Sequence, residues 1–139
     1  KEFMNAYLAI KYHSDHRNRS LIEAISDTLT HHGCKTYCVV RDLEQWGEKR
    51  FSAQDLMKQS FAAIDTCDFV LVELSEKGVG LGIEAGYAYA KGKAIVTLAR
   101  EGFDISTTLA GISAHTMSYT PTTLASQLTH MLELVRSPK

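Results

Sequence analysis

Asp68-Phe-Val-Leu-Val-Glu-Leu74, followed by Gly78-Val-Gly-Leu-Gly-Ile-Glu84-Ala-Gly-Tyr87-Ala-Tyr, decides the fold. The first run is an apolar strand. The second is a glycine turn that opens a helix of small and aromatic residues, expected over 81–91. Strand, turn and helix in that order form one unit of a parallel sheet. Gly78, Gly80, Gly82 and Gly86 carry no side chain, so the backbone can pass close to a ligand. Glu84 is the acid among them and falls near the first turn of the expected helix. A helix N-terminus favours negative charge, so Glu84 is expected to stay ionised even when partly buried. A water-poor carboxylate beside a bare backbone cradle is equipped to attack a sugar carbon.

The same alternation runs outward in both directions. Tyr7 to Ile10 reads as a short buried strand. From Arg19 to His32 the apolar spacing is helical, with Leu21, Ile22, Ile25 and Leu29 on one face and Gly33 as the stop. Lys35 to Val40 reads as the second strand, and polar 41–51, with its lone Trp46, as a long loop. Ser52 is placed to cap a helix carrying Leu56, Phe61 and Ile64. Beyond the glycine turn, Lys93 to Leu98 is a fourth strand, Ser106 to Gly111 a short helix and His115 to Tyr119 a fifth strand. Pro121 opens a last amphipathic helix with Leu124, Leu128, Leu132 and Val135. Strands this apolar belong to a parallel sheet covered on both faces. Ligands of such sheets bind beyond the carboxyl ends of the strands. The glycine turn lies there, and so does Lys11-Tyr-His-Ser-Asp-His-Arg17 after the first strand.

The chain has 139 residues, 45% of them hydrophobic, which suits one domain with a real core. Lys1, Glu2 and Phe3 ahead of Met4 read as an expression remnant, leaving 4–137 as the domain. The net charge of -1 argues against a nucleic-acid polymer or an anionic membrane as partner. No apolar run approaches a membrane span, and no signal peptide is visible. Cys34, Cys38 and Cys67 are odd in number and lack C-x-x-C spacing. Neither a disulfide framework nor a zinc site is expected, and a reduced cytoplasmic setting fits best. His13 and His16 have no third ligand in range, so no metal is expected.

Gly80-Leu-Gly82-Ile-Glu-Ala85 also fits the G-x-G-x-x-A dinucleotide fingerprint. That fingerprint belongs in the first strand–helix turn and here stands in the third, with no room for a second domain. Glycines serving only close helix–strand packing are another reading. Taken whole, Asp68-x5-Leu74 and Gly-Val-Gly-Leu-Gly-Ile-Glu84-Ala-Gly-Tyr-Ala strongly resemble the nucleoside 2-deoxyribosyltransferase family. That family includes a branch of deoxynucleoside 5′-monophosphate N-hydrolases. The resemblance spans Tyr7 to about Ile112. It implies a single-domain flavodoxin-like α/β fold, a doubly wound five-stranded parallel sheet of order 2-1-3-4-5. It also implies a homodimer or dimer of dimers with shared active sites and no cofactor. The glutamate at the Glu84 position would attack the anomeric carbon, the base would leave, and a second base or water would release the sugar.

Other residues carry over singly. Tyr7 matches an aromatic of the first strand near sugar and nucleophile, and reads equally as strand core. Ser106 matches a polar residue that the neighbouring subunit brings to the substrate's 5′ end, or else caps its own short helix. A serine there resembles the monophosphate hydrolases, where the transferases have asparagine. The transferases' aspartate that binds the 5′-hydroxyl is replaced by Gly78, which removes a group that would repel a 5′-phosphate. An aspartate that helps protonate the leaving base is replaced, by spacing from Asp68, by Ser60, a poor acid. Asp55, Asp65 and Asp15 are the alternatives. Lys11 and His13 fall where the hydrolase branch has a serine and an arginine in a phosphate-binding loop that here also holds His16, Arg17 and Arg19. Trp46 is placed either to stack on a base or to anchor its loop.

The expectation is therefore a glycosyl-transferring or hydrolysing enzyme, acting on a small-molecule deoxynucleoside or, preferentially, its 5′-monophosphate. Glu84, Tyr7 and Ser60 form its catalytic group; Lys11, His13, Gly78, Gly80, Gly82 and Ser106 bind substrate. Two other readings stand beside it: an NAD glycohydrolase of similar chemistry, and a nucleotide-binding sensor impaired in catalysis by the serine at 60.

Overall fold

β3 (Phe69–Glu73) is buried at every position and lies at the centre of the sheet. Around it stand β1 (Met4–Ile10), β2 (Cys34–Tyr37), β4 (Ala94–Arg100) and β5 (His115–Tyr119). All neighbours run parallel, in the order β2-β1-β3-β4-β5 expected of a flavodoxin-like sheet. The structure, a computed structural model, describes residues 3–137. Lys1 and Glu2 of the expected remnant lie outside them.

The pleat divides the core in two. Ala6, Leu8, Phe69, Leu71, Val96 and Leu98 face α1 (Arg19–His31) and α5 (Leu124–Arg136). Tyr7, Ala9, Val70, Val72 and Ile95 face α2 (Ala53–Thr66), α3 (Val79–Ala90) and α4 (Thr107–Ile112). α1 ends where Gly33 turns back at φ +81°, a conformation that favours glycine. Ser52 caps α2, its hydroxyl accepting the Asp55 N–H at 3.1 Å. Among the described residues no helix is long and apolar enough to cross a membrane.

Several element boundaries differ from the sequence reading, β1 starting at Met4 and β4 running to Arg100 among them, and three are instructive. β2 stops at Tyr37, and Val39–Leu43 forms a π-helical turn. β2 is an edge strand, and side chains there outcompete the ladder. The Asp42 carboxylate accepts the Cys38 N–H at 2.8 Å, while Arg41 donates to the Thr36 carbonyl at 2.8 Å. α5 begins at Leu124 rather than Pro121, because Thr120 and Thr123 close a hydroxyl-bonded turn first. α3 begins at Val79, two residues earlier than expected, and this shift decides which glycines face the site.

Candidate active site

A cavity of about 290 Å3 opens beyond the carboxyl ends of the strands. β1 and the segment after it supply Tyr7 and Lys11, and the turn after β2 supplies Cys38, Val39, Val40 and Glu44. Leu56, Met57 and Ser60 come from α2, and Gly78 to Leu81 with Glu84 from the start of α3. Most of this wall is apolar. Its charged side chains, among the described residues, are Lys11, Glu44 and Glu84.

Glu84 sits in the second turn of α3, so the helix end is farther away than its sequence position implied. Glu84 is half-buried in the mostly apolar cavity wall, and the Tyr7 phenol donates to its carboxylate. Burial pushes the Glu84 carboxyl up to about 7, against the lowering effect of that hydrogen bond. The expectation that the carboxylate stays ionised even when partly buried is thereby corrected, because desolvation is the largest influence on it. Near neutral pH the group exchanges its proton readily. Tyr7 lies mid-strand, fully buried, with its ring stacked on Tyr37 at 6.0 Å. Burial, with the Glu84 charge beside it, holds its phenol protonated far above the ordinary tyrosine value. Ser60 is buried and donates to the Leu56 carbonyl at 2.8 Å, within reach of the Tyr7 phenol.

Gly78 and Gly80 border the cavity; Gly82 does not. With α3 starting at Val79, Gly82 is turned about 200° around the helix from Gly80, onto the exposed face with Gly86. A Cβ added to Gly82 or Gly86 would meet nothing within 4 Å. A Cβ added to Gly78 would lie 3.2 Å from Lys11 Cδ and 3.4 Å from its Nζ. The missing side chain at 78 is thus the space along which Lys11 runs, placing an ammonium at the mouth of the cavity.

The other bases of this segment are engaged elsewhere. His13 Nε2 lies 2.8 Å from Glu76 Oε1, and Arg17 pairs with Asp15 at 3.0 Å. Arg19 reaches Glu23 at 3.4 Å and covers the Trp46 ring at 4.5 Å. His16 meets Trp46 edge-on at 5.6 Å. Trp46 packs on the α1/α5 core outside the cavity wall, so it anchors its loop. Ser106 stands at the N-terminus of α4, also outside this wall, its hydroxyl paired with that of Thr108 at 2.8 Å. None of Asp15, Asp55 and Asp65 lines the cavity, and Asp65 accepts the Tyr87 hydroxyl at 2.8 Å.

Among the lining residues that went unseen in the sequence are two titratable groups from the turn after β2. Cys38 is buried in the wall, which pushes its thiol up to about 12 and keeps it neutral. Glu44 is half-buried, and desolvation raises its carboxyl above the usual range. The sequence signal for both was their place just after a strand's carboxyl end, on the loop that such sheets use for ligands.

With this geometry in hand, comparison with known proteins adds a family and a fold. The profile described as nucleoside 2-deoxyribosyltransferase matches residues 6–119, most of the chain. No curated protein matches by sequence. Among solved structures, the Clostridium botulinum CMP N-glycosidase BcmB is similar at 23% identity and a TM-score of 0.64. That alignment covers 94% of this chain and 99% of BcmB. A 2-deoxyribosyltransferase from Bacillus psychrosaccharolyticus is similar at 17% identity and a TM-score of 0.68, covering 86% of this chain and 95% of its own. At these identities the likeness to either structure is one of fold.

Proposed function

Since this chain belongs to the nucleoside 2-deoxyribosyltransferase family, we propose that it cleaves the N-glycosidic bond of a 2′-deoxynucleoside 5′-monophosphate, with Glu84 as nucleophile. The Glu84 carboxylate attacks C1′ and the base departs. Water then opens the glycosyl ester, or a second base does so in transfer. The Tyr7 phenol holds the attacking carboxylate in place. The dry cavity strengthens the charges that develop there. Similarity in fold to a CMP N-glycosidase is in keeping with a phosphorylated substrate.

One observation carries the preference for a monophosphate: Lys11 lies along the space left by Gly78, at the mouth of the cavity that holds Glu84. A cation there attracts a 5′-phosphate, where an acid would repel it. The monophosphate should therefore show a higher kcat/KM than the free nucleoside, by about 100-fold for a strong charge-assisted contact. Lys11→Ala should shrink that ratio at least tenfold, mainly through KM. Equal kcat/KM for both substrates would sink the phosphate assignment, and base exchange outrunning hydrolysis would favour a transferase.

α3 supports the proposed homodimer with shared sites. Val79, Ile83 and Tyr89 are 82%, 47% and 58% exposed, and with Gly82 and Gly86 they give the helix an uncovered apolar side next to the cavity mouth. Ser106, which does not reach its own chain's cavity, would serve the partner's. Mixing Glu84→Ala with Ser106→Asp subunits should then restore roughly a quarter of full activity, because each mixed dimer keeps one intact site. Mixed dimers that form and stay inactive would remove Ser106 from the site.

A further inference from the structure

A glycosidic nitrogen leaves as an anion unless something protonates the base, and Ser60 cannot do so. We propose that Glu44 is the general acid, delivering a proton to the departing base. The inference rests on the N-glycosidase reading above and extends it to the second half of the bond-breaking step.

Glu44 and Glu84 are the two carboxyl groups in the cavity wall, and they enter from different elements. Glu84 rises from α3, while Glu44 closes the π-helical turn after β2, its N–H donating to the Val39 carbonyl at 2.9 Å. Three residues of positive φ follow it directly, and two of them, Gln45 and Trp46, are strained because they are not glycine. Gln45, Trp46 and Gly47 have φ of 49°, 56° and 92°. Strain of this kind persists only where the surroundings enforce it, and it gathers at functional positions. The enforcing contacts are visible. The Gly47 and Lys49 N–H groups donate to the Glu44 carbonyl at 3.1 and 2.9 Å, and the Trp46 N–H to Val40 at 2.8 Å. Trp46 is fixed between the core and Arg19. Arg19 and Trp46 therefore hold Glu44 at the cavity from outside it.

The proton account closes. In the first step a Glu84 oxygen bonds to C1′, the C1′–N bond breaks, its electrons pass to the base, and the Glu44 proton follows them. In the second step Glu44, now a carboxylate, takes a proton from water as the water oxygen bonds to C1′ and Glu84 is released. The charged groups facing Glu44 are Lys11 and Glu84 across the cavity and His16 from the segment after β1, which favours its ionised form. α2 presents no charge to the cavity.

The test pairs 2′-deoxynucleoside 5′-monophosphates with a 4-nitrophenyl 2-deoxyribofuranoside 5-phosphate, whose leaving group needs no proton. Glu44→Gln should lose at least about 100-fold in kcat on the nucleotides and less than about threefold on the nitrophenyl substrate. Glu44→Asp, which keeps an acid, should fall between wild type and Gln on the nucleotides. Equal losses on both substrates, or no loss on either, would overturn the proposal while leaving the Glu84 mechanism standing. Failure of the wild type on every substrate would instead remove the N-glycosidase reading, and this inference with it.

Discussion

Two carboxylates at the same end of the sheet live in opposite conditions. Glu73 closes β3 and is 2% exposed, yet the Ser75 N–H donates to it at 3.0 Å, and the Ser75 and Tyr119 hydroxyls each donate to it at 2.5 Å. Ser75 in turn accepts the Arg100 N–H at 2.9 Å, so the ends of β3, β4 and β5 are tied together. Glu84 has, among the described residues, one phenol as its donor, and burial raises its carboxyl to about 7. A buried charge with its lone pairs satisfied is structural; one left nearly bare is costly to the fold and available for chemistry. The difference lies in the neighbours supplied: Ser75 and Tyr119 at strand ends for Glu73, and mid-strand Tyr7 for Glu84.

The largest expected effect breaks this comparison at its reactive side. Glu84→Gln keeps the shape and removes the ionisable oxygen, so turnover should fall by at least about 1,000-fold. The same change should stabilise the protein in a pH-dependent way. Because its pKa is raised in the fold, from 4.5 to about 7, wild-type Glu84 binds its proton more tightly folded than unfolded. Wild-type stability therefore declines as pH rises between those values, by up to about 3 kcal/mol. Denaturant melts should show the variant matching wild type near pH 4 and exceeding it by about that amount at pH 8. A constant difference at all pH values would mean that Glu84 is not dehydrated as described.

The structural side should respond in the opposite sense. Glu73→Gln puts an amide N–H2 where three donors converge, leaving hydrogens facing hydrogens. The cost should be about 2–3 kcal/mol in unfolding free energy, with kcat per folded molecule close to wild type. If Glu73→Gln instead removes activity without lowering stability, Glu73 belongs to the chemistry and the contrast with Glu84 fails.

How far the sequence foretold this arrangement follows from the same elements. Tyr7, Lys11, Ser60, Gly78, Gly80 and Glu84 meet in one cavity because each rides on, or directly borders, a regular element whose period was readable. The order of the five strands was readable for the same reason. Glu44 and Cys38 were hidden because the π-helical turn has no hydrophobic period; it exists through Asp42 and Arg41 bonding backbone that would otherwise extend β2. Gly82 was misplaced by a helix boundary two residues off, enough to turn it to the far side. Local patterns set which elements form, while side-chain competition at their ends sets which residues face the site.

The smallest effect sharpens the comparison by removing Glu84's one donor. Tyr7→Phe leaves the ring in the core, where it is fully buried and stacked on Tyr37, so the fold should be little affected. The lost hydrogen bond was lowering the Glu84 pKa. Without it the carboxyl should hold its proton to still higher pH. The rise in activity with pH, set by the ionisation of Glu84, should therefore move in the alkaline direction. At pH 7 the variant should be slower by about fivefold, and much of that deficit should vanish by pH 9, since a one-unit rise in pKa takes the ionised fraction at pH 7 from about a half to about a tenth. A deficit of constant size across the pH range would show that the phenol acts on the transition state directly, and a variant with unchanged profile would show that burial alone sets the Glu84 proton.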